Sequence, residues 1–442
     1  MFWRYEEWGN AIAIQMIAII IAIIMGKKNQ IKNADLFLII SLFSPVAIFK
    51  LSAGVPGAVF LIDIASLYLL FRKHSPFRNK PLIILAFILY LLWPIISTLI
   101  SNILAAFSKA VISYDIKVGL IQTMRYFLYF ILFAKLTSKP RLEPDYMIKL
   151  LRVASIMIFF IFIAILLGYF NIIKVDAWNE LSKSEYRNTL GEGGMFLYRG
   201  GIGTLGAISI PIIYFCFIHG TRFYKYFTVS IILVIFSVVI LSGSRQGVVF
   251  SFITFTLSIL LFKQYKNALK IAFVGIILVS LLPKNETFYE TSKWINIRYQ
   301  LFFDKNTDLA DEVRNRNTAI NEAKKVNKPL LLKITGVGLG GHIHHTDSDY
   351  YDTYSYFGSI GIFFYILFVF YSGYKIIIRW KGASEIQTKQ IFTISLILAI
   401  VGPLMGFQQW YIMTYTSTNA VNVYLILFFT SLAVSDESKY YY

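Results

Sequence analysis

Cysteine and charge are both scarce in this chain. Its 442 residues include one cysteine, Cys216, which stands in an apolar run, so no intrachain disulfide can form. Charged residues make up 15% of the sequence and hydrophobic residues 57%, a balance that excludes an ordinary soluble protein. No run of glycine, proline or serine marks a domain boundary, and the first apolar segment lacks a signal-peptide cleavage site. These absences favour a single polytopic membrane domain over residues 1–442.

Acidic residues are few compared with basic ones, 24 against 42, and the formal net charge is +18. In a soluble protein such an excess would suggest nucleic-acid binding. Here the basic residues stand mainly in short segments between apolar runs, which is the positive-inside pattern of membrane proteins. The charge therefore indicates orientation in a membrane, and we predict no nucleic-acid partner.

Long apolar runs dominate the chain. A transmembrane helix needs about 20 mostly apolar residues. The predicted fold class is therefore all-α, a polytopic bundle of about 12–14 transmembrane helices with a long, partly helical outer loop. The runs lie near residues 9–26, 34–52, 55–71, 81–103, 118–136, 147–170, 200–219, 225–242, 247–262, 268–283, 356–378, 390–411 and 415–434.

The segments between these runs alternate in charge. When the first connection is placed in the cytoplasm, every second connection carries several basic residues, whereas the short connections on the other face carry single ones such as Lys109, Lys117 and Arg245. This predicts an external amino terminus and a cytoplasmic carboxyl terminus. The basic clusters are Lys27, Lys28 and Lys32; Arg72, Lys73, Arg78 and Lys80; Lys135, Lys139, Arg141, Lys149 and Arg152; Arg222 and Lys225; Lys263, Lys266 and Lys270; and Lys375, Arg379, Lys381 and Lys389.

Two long segments then fall on the outer face, residues 171–199 and residues 284–355. The second is too long for a structureless connection, and segments of that size tend to be functional. Within it, residues 308–328 predict a polar helix that ends at Pro329. We find no internal repeat, and polar residues gather at the outer rim, which weakens a secondary-transporter interpretation.

Two charged residues stand inside predicted spans, where charge is costly. Arg125 must face a cavity, a partner or the lipid headgroups. Asp63 lies in the middle of another span and is expected to pair with a basic residue such as Arg125, which would fix the packing of the two helices.

Two further arginines mark the outer ends of predicted spans. Arg199 begins an inbound apolar run in YRGGIGTLG, where its charge adds to the positive end of the helix dipole. Arg245 lies in the turn LSGSRQG, which directs a guanidinium and several backbone donors to one point. Both positions suit a diphosphate. The alternatives are an interfacial anchor for Arg199 and a chance arginine in a polar hairpin for Arg245.

The segment GVGLGGHIHHTDSDYYDTYSYFGSIG, residues 336–361, is rich in glycine and then in titratable side chains. Its glycines match G-x-G-x-x-G, but no βαβ context supports a nucleotide site. We therefore interpret these glycines as a flexible run. The following side chains suit a metal site, a general base or structural hydrogen bonds. Their spacing fits no tight metal signature, so we predict neither metal nor cofactor. They are His342, His344, His345, Asp347, Asp349 and Asp352.

The order of these motifs resembles the O-antigen polymerase and ligase superfamily of bacteria. The resemblance covers about residues 185–375, with LSGSRQG, YRGGIGTLG and DSDYYDTYSYFGSIG as its motifs. It implies an inverting, metal-independent glycosyltransferase on the periplasmic face of the inner membrane, in lipopolysaccharide biosynthesis. Undecaprenyl-diphosphate-linked oligosaccharide would be both donor and acceptor. Membrane lipid surrounds such an enzyme, and a polysaccharide chain-length regulator is a further candidate partner.

The resemblance also assigns roles to residues. The family's diphosphate-binding arginines fall on Arg199 and Arg245, and Arg125 is a third candidate. The ligase branch has a histidine where this chain has Asp347, which favours the polymerase branch. Asp347, His345 and Asp349 are the candidate catalytic groups. A ligase that transfers glycan to lipid A core, a flippase and a membrane scaffold remain alternatives.

Overall fold

The computed structural model describes residues 9–44, 47–50, 58–71, 80–107, 116–138, 143–169, 199–241, 245–263, 265–266, 330–341, 349–406 and 420–435. These residues are almost entirely helical and belong to two compact units. The first unit comprises Met1–Phe2, Ser44–Met147 and Thr318–Tyr442, and the second comprises Trp3–Phe43 and Ile148–Asn317.

The second unit contains two helices from the beginning of the chain and four from its middle. They are α1 (Gly9–Lys28), α2 (Asn33–Leu42), α7 (Pro144–Tyr169, which begins in the first unit), α8 (Arg199–Ile218), α9 (Arg222–Leu241) and α10 (Arg245–Phe262). Short connections join α8 to α9 and α9 to α10, so each of these helices reverses the direction of the one before it. As a result α8 and α10 run parallel, and they pack against each other extensively.

The first unit contains the remaining described elements. They are strands β1 (Ala47–Lys50) and β2 (Ala58–Phe60), and helices α3 (Leu61–Leu70), α4 (Lys80–Phe87), α5 (Trp93–Phe107), α6 (Ile116–Thr137), α11 (Leu330–Thr335), α12 (Asp349–Gly382), α13 (Ile386–Gly406) and α14 (Ala420–Val434). A π-helical segment, Ile88–Leu92, joins α4 to α5. Helix α6 packs against α3, α4, α14 and the π segment, and α12 packs against α11, α13 and α14.

Five described stretches are long and apolar enough to cross a membrane, which confirms the predicted all-α, multi-pass class. Most of the predicted spans are found as helices within a few residues of their expected ends; for example, the run at 200–219 is α8. The predicted span at 268–283 and the predicted helix at 308–328 lie outside the described residues. The five stretches are Pro81–Leu104, Pro144–Leu167, Arg222–Ile240, Asp349–Gly382 and Ile386–Gly406.

The predicted spans at 34–52 and 55–71 are wrong as continuous helices. Helices α2 and α3 have 10 residues each, too few to cross a bilayer. Between them β1 and β2 form a two-stranded antiparallel sheet. Hydropathy alone could not show this, but the sequence between the helices includes Pro45, Gly54, Pro56 and Gly57, which do not support a helix. Because the two spans are consecutive, removing both leaves the predicted sidedness of every later connection unchanged.

Helix α12 is folded back on itself at Gly358, where the backbone is not helical (φ 66°, ψ −166°). The hydroxyl of Tyr365 lies 2.6 Å from the carboxylate of Asp349. In a straight helix these residues would be about 24 Å apart along the axis. Residues 349–357, the short arm, therefore lie alongside the beginning of residues 359–382, the long arm. The long arm alone is long enough to span a membrane, which agrees with the predicted start near residue 356.

Candidate functional site

The first residues of α8 and α10 are Arg199 and Arg245. Because the two helices are parallel, both amino termini lie at the same end of the helix pair. The contact near Gly206 supports this register: a Cβ built on Gly206 would lie 3.4 Å from the Ser251 hydroxyl, and each residue is about 10 Å along its own helix from the arginine. Two helix termini with positive dipole ends are therefore neighbours, and each begins with an arginine.

Close packing holds this end of the second unit together. A Cβ at Gly206 would also lie 2.7 Å from a methyl group of Val239 on α9, so α8 approaches α9 more closely than a larger residue would permit. At the other end, the Arg152 guanidinium donates a hydrogen bond of 2.6 Å to the His219 carbonyl, beyond the last turn of α8. The described contacts therefore fix α8 at both ends.

The glycine segment of the first unit is rigidly held, which corrects the expectation of a flexible run. Gly336, Gly338 and Gly340 all have positive φ angles. A Cβ at Gly336 would lie 2.2 Å from the carbonyl oxygen of Tyr356, and one at Gly338 would lie 2.4 Å from the Cα of Thr98. Only glycine fits at Gly336 and Gly338, because other residues are strained at such angles and their Cβ atoms would clash with backbone atoms.

The backbone donors of this segment are already used within the protein. Four successive N–H groups donate to groups on the short arm, α5 and α6, so they do not form a phosphate cradle of the P-loop kind. This agrees with the rejection of a nucleotide site. The bonds run from Val337 to the Ser355 carbonyl (3.1 Å), Gly338 to the Tyr356 carbonyl (2.7 Å), Leu339 to the Thr98 hydroxyl (2.8 Å) and Gly340 to the Gln122 side chain (3.0 Å).

The short arm carries two buried carboxylates. Asp349 and Asp352 are 0% and 1% exposed and stand in its first turn, where negative charge is favoured by the helix dipole. Asp349 accepts the bond from Tyr365, and its neighbour Tyr350 donates to the Pro403 carbonyl on α13 at 3.0 Å. Of the predicted catalytic groups, Asp349 is therefore a buried residue of the helical core. His345 and Asp347 lie outside the described residues.

The predicted pairing of Asp63 with Arg125 is confirmed. The two side chains form an ion pair of 3.3 Å between α3 and α6, and both are buried. Asp63 also accepts hydrogen bonds from the Tyr424 hydroxyl (2.6 Å) and from the Phe60 backbone (2.8 Å). The Arg125 guanidinium lies 5.0 Å from the centre of the Phe60 ring. This gives Arg125 a role in helix packing, and its proposed role in diphosphate binding stays a prediction.

A group of buried tyrosines lies next to this pair and reaches it through Tyr424, and the sequence analysis does not identify the group. Gln122, Arg125, Tyr126 and Tyr129 are all buried and follow the i, i+3, i+4, i+7 spacing of one face of α6. That spacing is visible in the sequence, but hydropathy counts tyrosine with the apolar residues and so does not distinguish this face. The rings of Tyr90, Tyr126, Tyr129 and Tyr424 contact one another, and we call these four residues the tyrosine cluster; each is no more than 1% exposed.

Comparison with known proteins adds no family assignment. No model of a protein family matches the sequence, and no curated protein matches it. Within the described ranges, no three His, Cys, Asp or Glu side chains come together in a way that would hold a metal. Because His342, His344 and His345 lie outside those ranges, the predicted absence of a metal stays a prediction.

These arrangements suit different chemical tasks. The end of the α8–α10 pair joins two helix amino termini to two arginines, a combination that binds and stabilises phosphate oxygens. The interior of the first unit holds carboxylates among tyrosine hydroxyls, groups that can accept and donate protons.

Proposed function

We propose that this protein is an O-antigen polymerase, which joins oligosaccharide repeat units carried on undecaprenyl diphosphate at the periplasmic face of the inner membrane. One observation carries the proposal: Arg199 and Arg245 begin two parallel, closely packed helices and thus stand at the same end. The multi-pass architecture supports a substrate whose lipid tail lies in the bilayer. The motif order that resembles the polymerase and ligase superfamily supports the same substrate class.

The arginines would stabilise the leaving group. In the proposed reaction, a sugar hydroxyl of one lipid-linked unit attacks the anomeric carbon of the growing chain. The bond from that carbon to the diphosphate breaks, and the electron pair leaves with undecaprenyl diphosphate. Arginine pairs with phosphate oxygens in a bidentate manner, and helix amino termini add partial positive charge. Preorganised groups of this kind typically lower the barrier by several kcal/mol, about 3 kcal/mol for one donor.

The hydroxyl proton needs a base. Asp347 and His345 are the candidates for direct contact with the acceptor, and we assign Asp349 a supporting role because it is buried. Arg125 is the weakest of the three proposed diphosphate ligands, because its charge is already opposed by Asp63. A chain-length regulator stays a candidate partner.

A flippase is the second candidate, and one observation favours it. In the sequence, polar residues gather at the predicted outer rim, which argues against a transporter. The first unit instead carries buried polar side chains on α3, α6, α12 and α14. Polar groups inside membrane helices often line transport routes. A flippase would move lipid-linked glycan across the membrane without lengthening it.

The test is a chain-extension assay with purified protein and lipid-diphosphate-linked oligosaccharide. We expect Arg199→Ala and Arg245→Ala each to lower turnover by at least about 100-fold, the usual cost of one transition-state donor. Arg222→Ala is the matched control, since Arg222 also begins a helix, α9, but at the opposite end of the three-helix group. Equal activity in the three variants would overturn the proposal. Movement of substrate without extension would identify a flippase instead.

A further inference from the structure

Arg152 on α7 is a half-buried arginine that the proposed reaction does not use. Its guanidinium donates a hydrogen bond of 2.6 Å to the His219 carbonyl and lies 5.7 Å from the centre of the Tyr224 ring. His219 belongs to the turn between α8 and α9, and Tyr224 to the first turn of α9. All three residues lie in the second unit. Arg152 is therefore fixed at the level where two apolar helices meet in a turn.

Contacts with α7 hold the Tyr224 ring beside this guanidinium. The Tyr224 and Ser155 hydroxyls are hydrogen-bonded to each other. Both also lie within hydrogen-bond distance of the Arg152 carbonyl, at 3.3 Å for Tyr224 and 2.7 Å for Ser155. The face of an aromatic ring attracts a cation, so the ring helps to keep the guanidinium in place. A group held in this way loses little conformational freedom when it binds a ligand.

Most of the hydrogen-bond donors of Arg152 are unused. An arginine side chain has five N–H donors. Among the described residues, the His219 carbonyl accepts one of them, no acidic side chain pairs with the guanidinium, and the buried Nε has no partner. The negative end of the α8 dipole offsets about half of the charge. The remaining charge and donors suit a fully charged anion such as a phosphate.

The surroundings of Arg152 are cationic. Lys149 stands one turn earlier on the same face of α7. Lys225 on α9 has its Nζ 6.0 Å from the centre of the Phe217 ring, near the end of α8. Within the described part of the second unit, Asp35 on α2 is the only acidic residue. A zwitterionic headgroup would bring its own ammonium group into this field, whereas an anionic headgroup would not.

The exposed side chains at this end are typical of a membrane–water interface. Phe223 and Tyr226, at the beginning of α9, are 83% and 63% exposed. Aromatic side chains concentrate at the headgroup level of a bilayer. The candidate span Arg222–Ile240 begins at the same level. Basic pockets between membrane helices at this level bind the headgroups of anionic lipids.

We propose that Arg152 binds the phosphate of an anionic phospholipid where α7 meets the turn between α8 and α9. The planar guanidinium pairs with phosphate oxygens, and Lys149 and Lys225 attract the negative headgroup. The bound lipid then links α7 to the α8–α9 turn and stabilises the second unit. The site lies at the opposite end of α8 from Arg199, and it is independent of the proposed function.

The first experiment measures the stability of the purified full-length protein in a neutral detergent. The melting temperature is recorded after addition of phosphatidylglycerol, phosphatidylcholine or inorganic phosphate. We expect phosphatidylglycerol near saturation to raise it by about 2–4 °C more than phosphatidylcholine does. Equal effects of the two lipids would overturn the proposal. An equal rise with inorganic phosphate alone would identify a free anion as the ligand and overturn the lipid assignment.

Arg152→Gln tests whether this arginine is responsible for the lipid preference. We expect the affinity for phosphatidylglycerol, measured by titration, to fall by about 10-fold or more, because charge-assisted hydrogen bonds are lost. Arg222→Gln is the matched control, since it removes an exposed arginine from the same end. Its loss should stay below about 5-fold, the effect of one surface charge. Equal losses in the two variants would reduce the effect to general surface charge and overturn the site.

A second variant is needed because Arg152→Gln also weakens the contact at the end of α8. Arg152→Lys keeps the charge and a donor for the His219 carbonyl, but it lacks the planar fork. We expect it to fold and to bind phosphatidylglycerol several-fold more weakly than the wild type. Wild-type affinity would overturn the pairing of arginine with phosphate. These measurements use no glycan substrate, so their failure is distinct from failure of the polymerase assay.

Discussion

The Tyr365 hydroxyl donates a 2.6 Å hydrogen bond to Asp349, which lies sixteen residues earlier in the same helical element. This bond is possible only because the chain reverses at Gly358. Tyr365 lies about 10 Å along the long arm from the reversal, so Asp349 lies at a similar depth, inside the helical core. The chain thus brings an acidic group into the helical core of the first unit, beside the long arm.

Replacing Gly358 by alanine should break this arrangement. The φ angle of 66° is unfavourable for alanine, and its Cβ would lie 2.1 Å from the Ile334 carbonyl oxygen. We expect a loss of more than about 2 kcal/mol in unfolding free energy, seen as a lower melting temperature, and loss of chain extension. Gly373→Ala is the control on the long arm, because nothing lies within 4 Å of its added Cβ. Similar melting temperatures for the two variants would contradict the fold-back.

The buried pair of Asp63 and Arg125 should respond differently to single and double replacement. Removing one partner leaves an uncompensated buried charge, so Asp63→Leu and Arg125→Met should each destabilise the protein by about 3–5 kcal/mol. The double variant should recover most of that loss, since both charges are gone. Thermal unfolding of the three purified variants provides the measurement. If the double variant is as unstable as the sum of the singles, the pair is not coupled.

Part of this architecture could be predicted from the sequence. The run at 200–219 became α8 almost unchanged, because length and apolarity decide whether a helix can cross a bilayer. The pairing of Asp63 with Arg125 followed from the high cost of either charge alone in a membrane helix. Both inferences depend on the length, apolarity and charge of a single segment, which can be read directly from one sequence.

Other features could not be read from one sequence. Hydropathy is the same whether a chain continues or reverses, so the fold-back at Gly358 had no signal beyond the glycine itself. The glycines of residues 336–341 suggested flexibility, whereas their partners Thr98 and Tyr356 come from distant parts of the chain. The buried tyrosines depend on the same long-range contacts: Tyr424 and Asp63 are 361 residues apart.

Gly206 should be essential for the α8–α10 end that carries the two arginines. Gly206→Leu would force α8 away from Val239 and Ile235 on α9, because even a Cβ would meet a Val239 methyl at 2.7 Å. We expect chain extension to fall by about 10-fold or more, since small misplacements of catalytic groups cost about that much or more in rate. Gly382→Leu serves as the control, because nothing lies within 4 Å of that glycine. Activity at the level of the control would show that this packing does not support catalysis.

The orientation of the chain in the membrane can be tested by labelling introduced cysteines, because the chain has a single native cysteine. The native Cys216 is 1% exposed, so the wild-type protein should not react with a membrane-impermeant maleimide and is a ready negative control. Two variants each introduce a second cysteine. Ser184→Cys introduces it in the predicted outer segment 171–199. Ser384→Cys introduces it in the exposed turn between α12 and α13, which is predicted to be cytoplasmic.

Labelling of intact cells should modify Ser184→Cys alone, and cell lysis should make Ser384→Cys reactive as well. The reason is that the basic clusters flanking that turn, among them Arg379 and Lys389, favour the cytoplasmic side. The reverse pattern would put residues 171–199 in the cytoplasm. A lipid-linked donor at the periplasmic face could not then reach a site at the amino termini of α8 and α10, and the polymerase proposal would fail with the orientation.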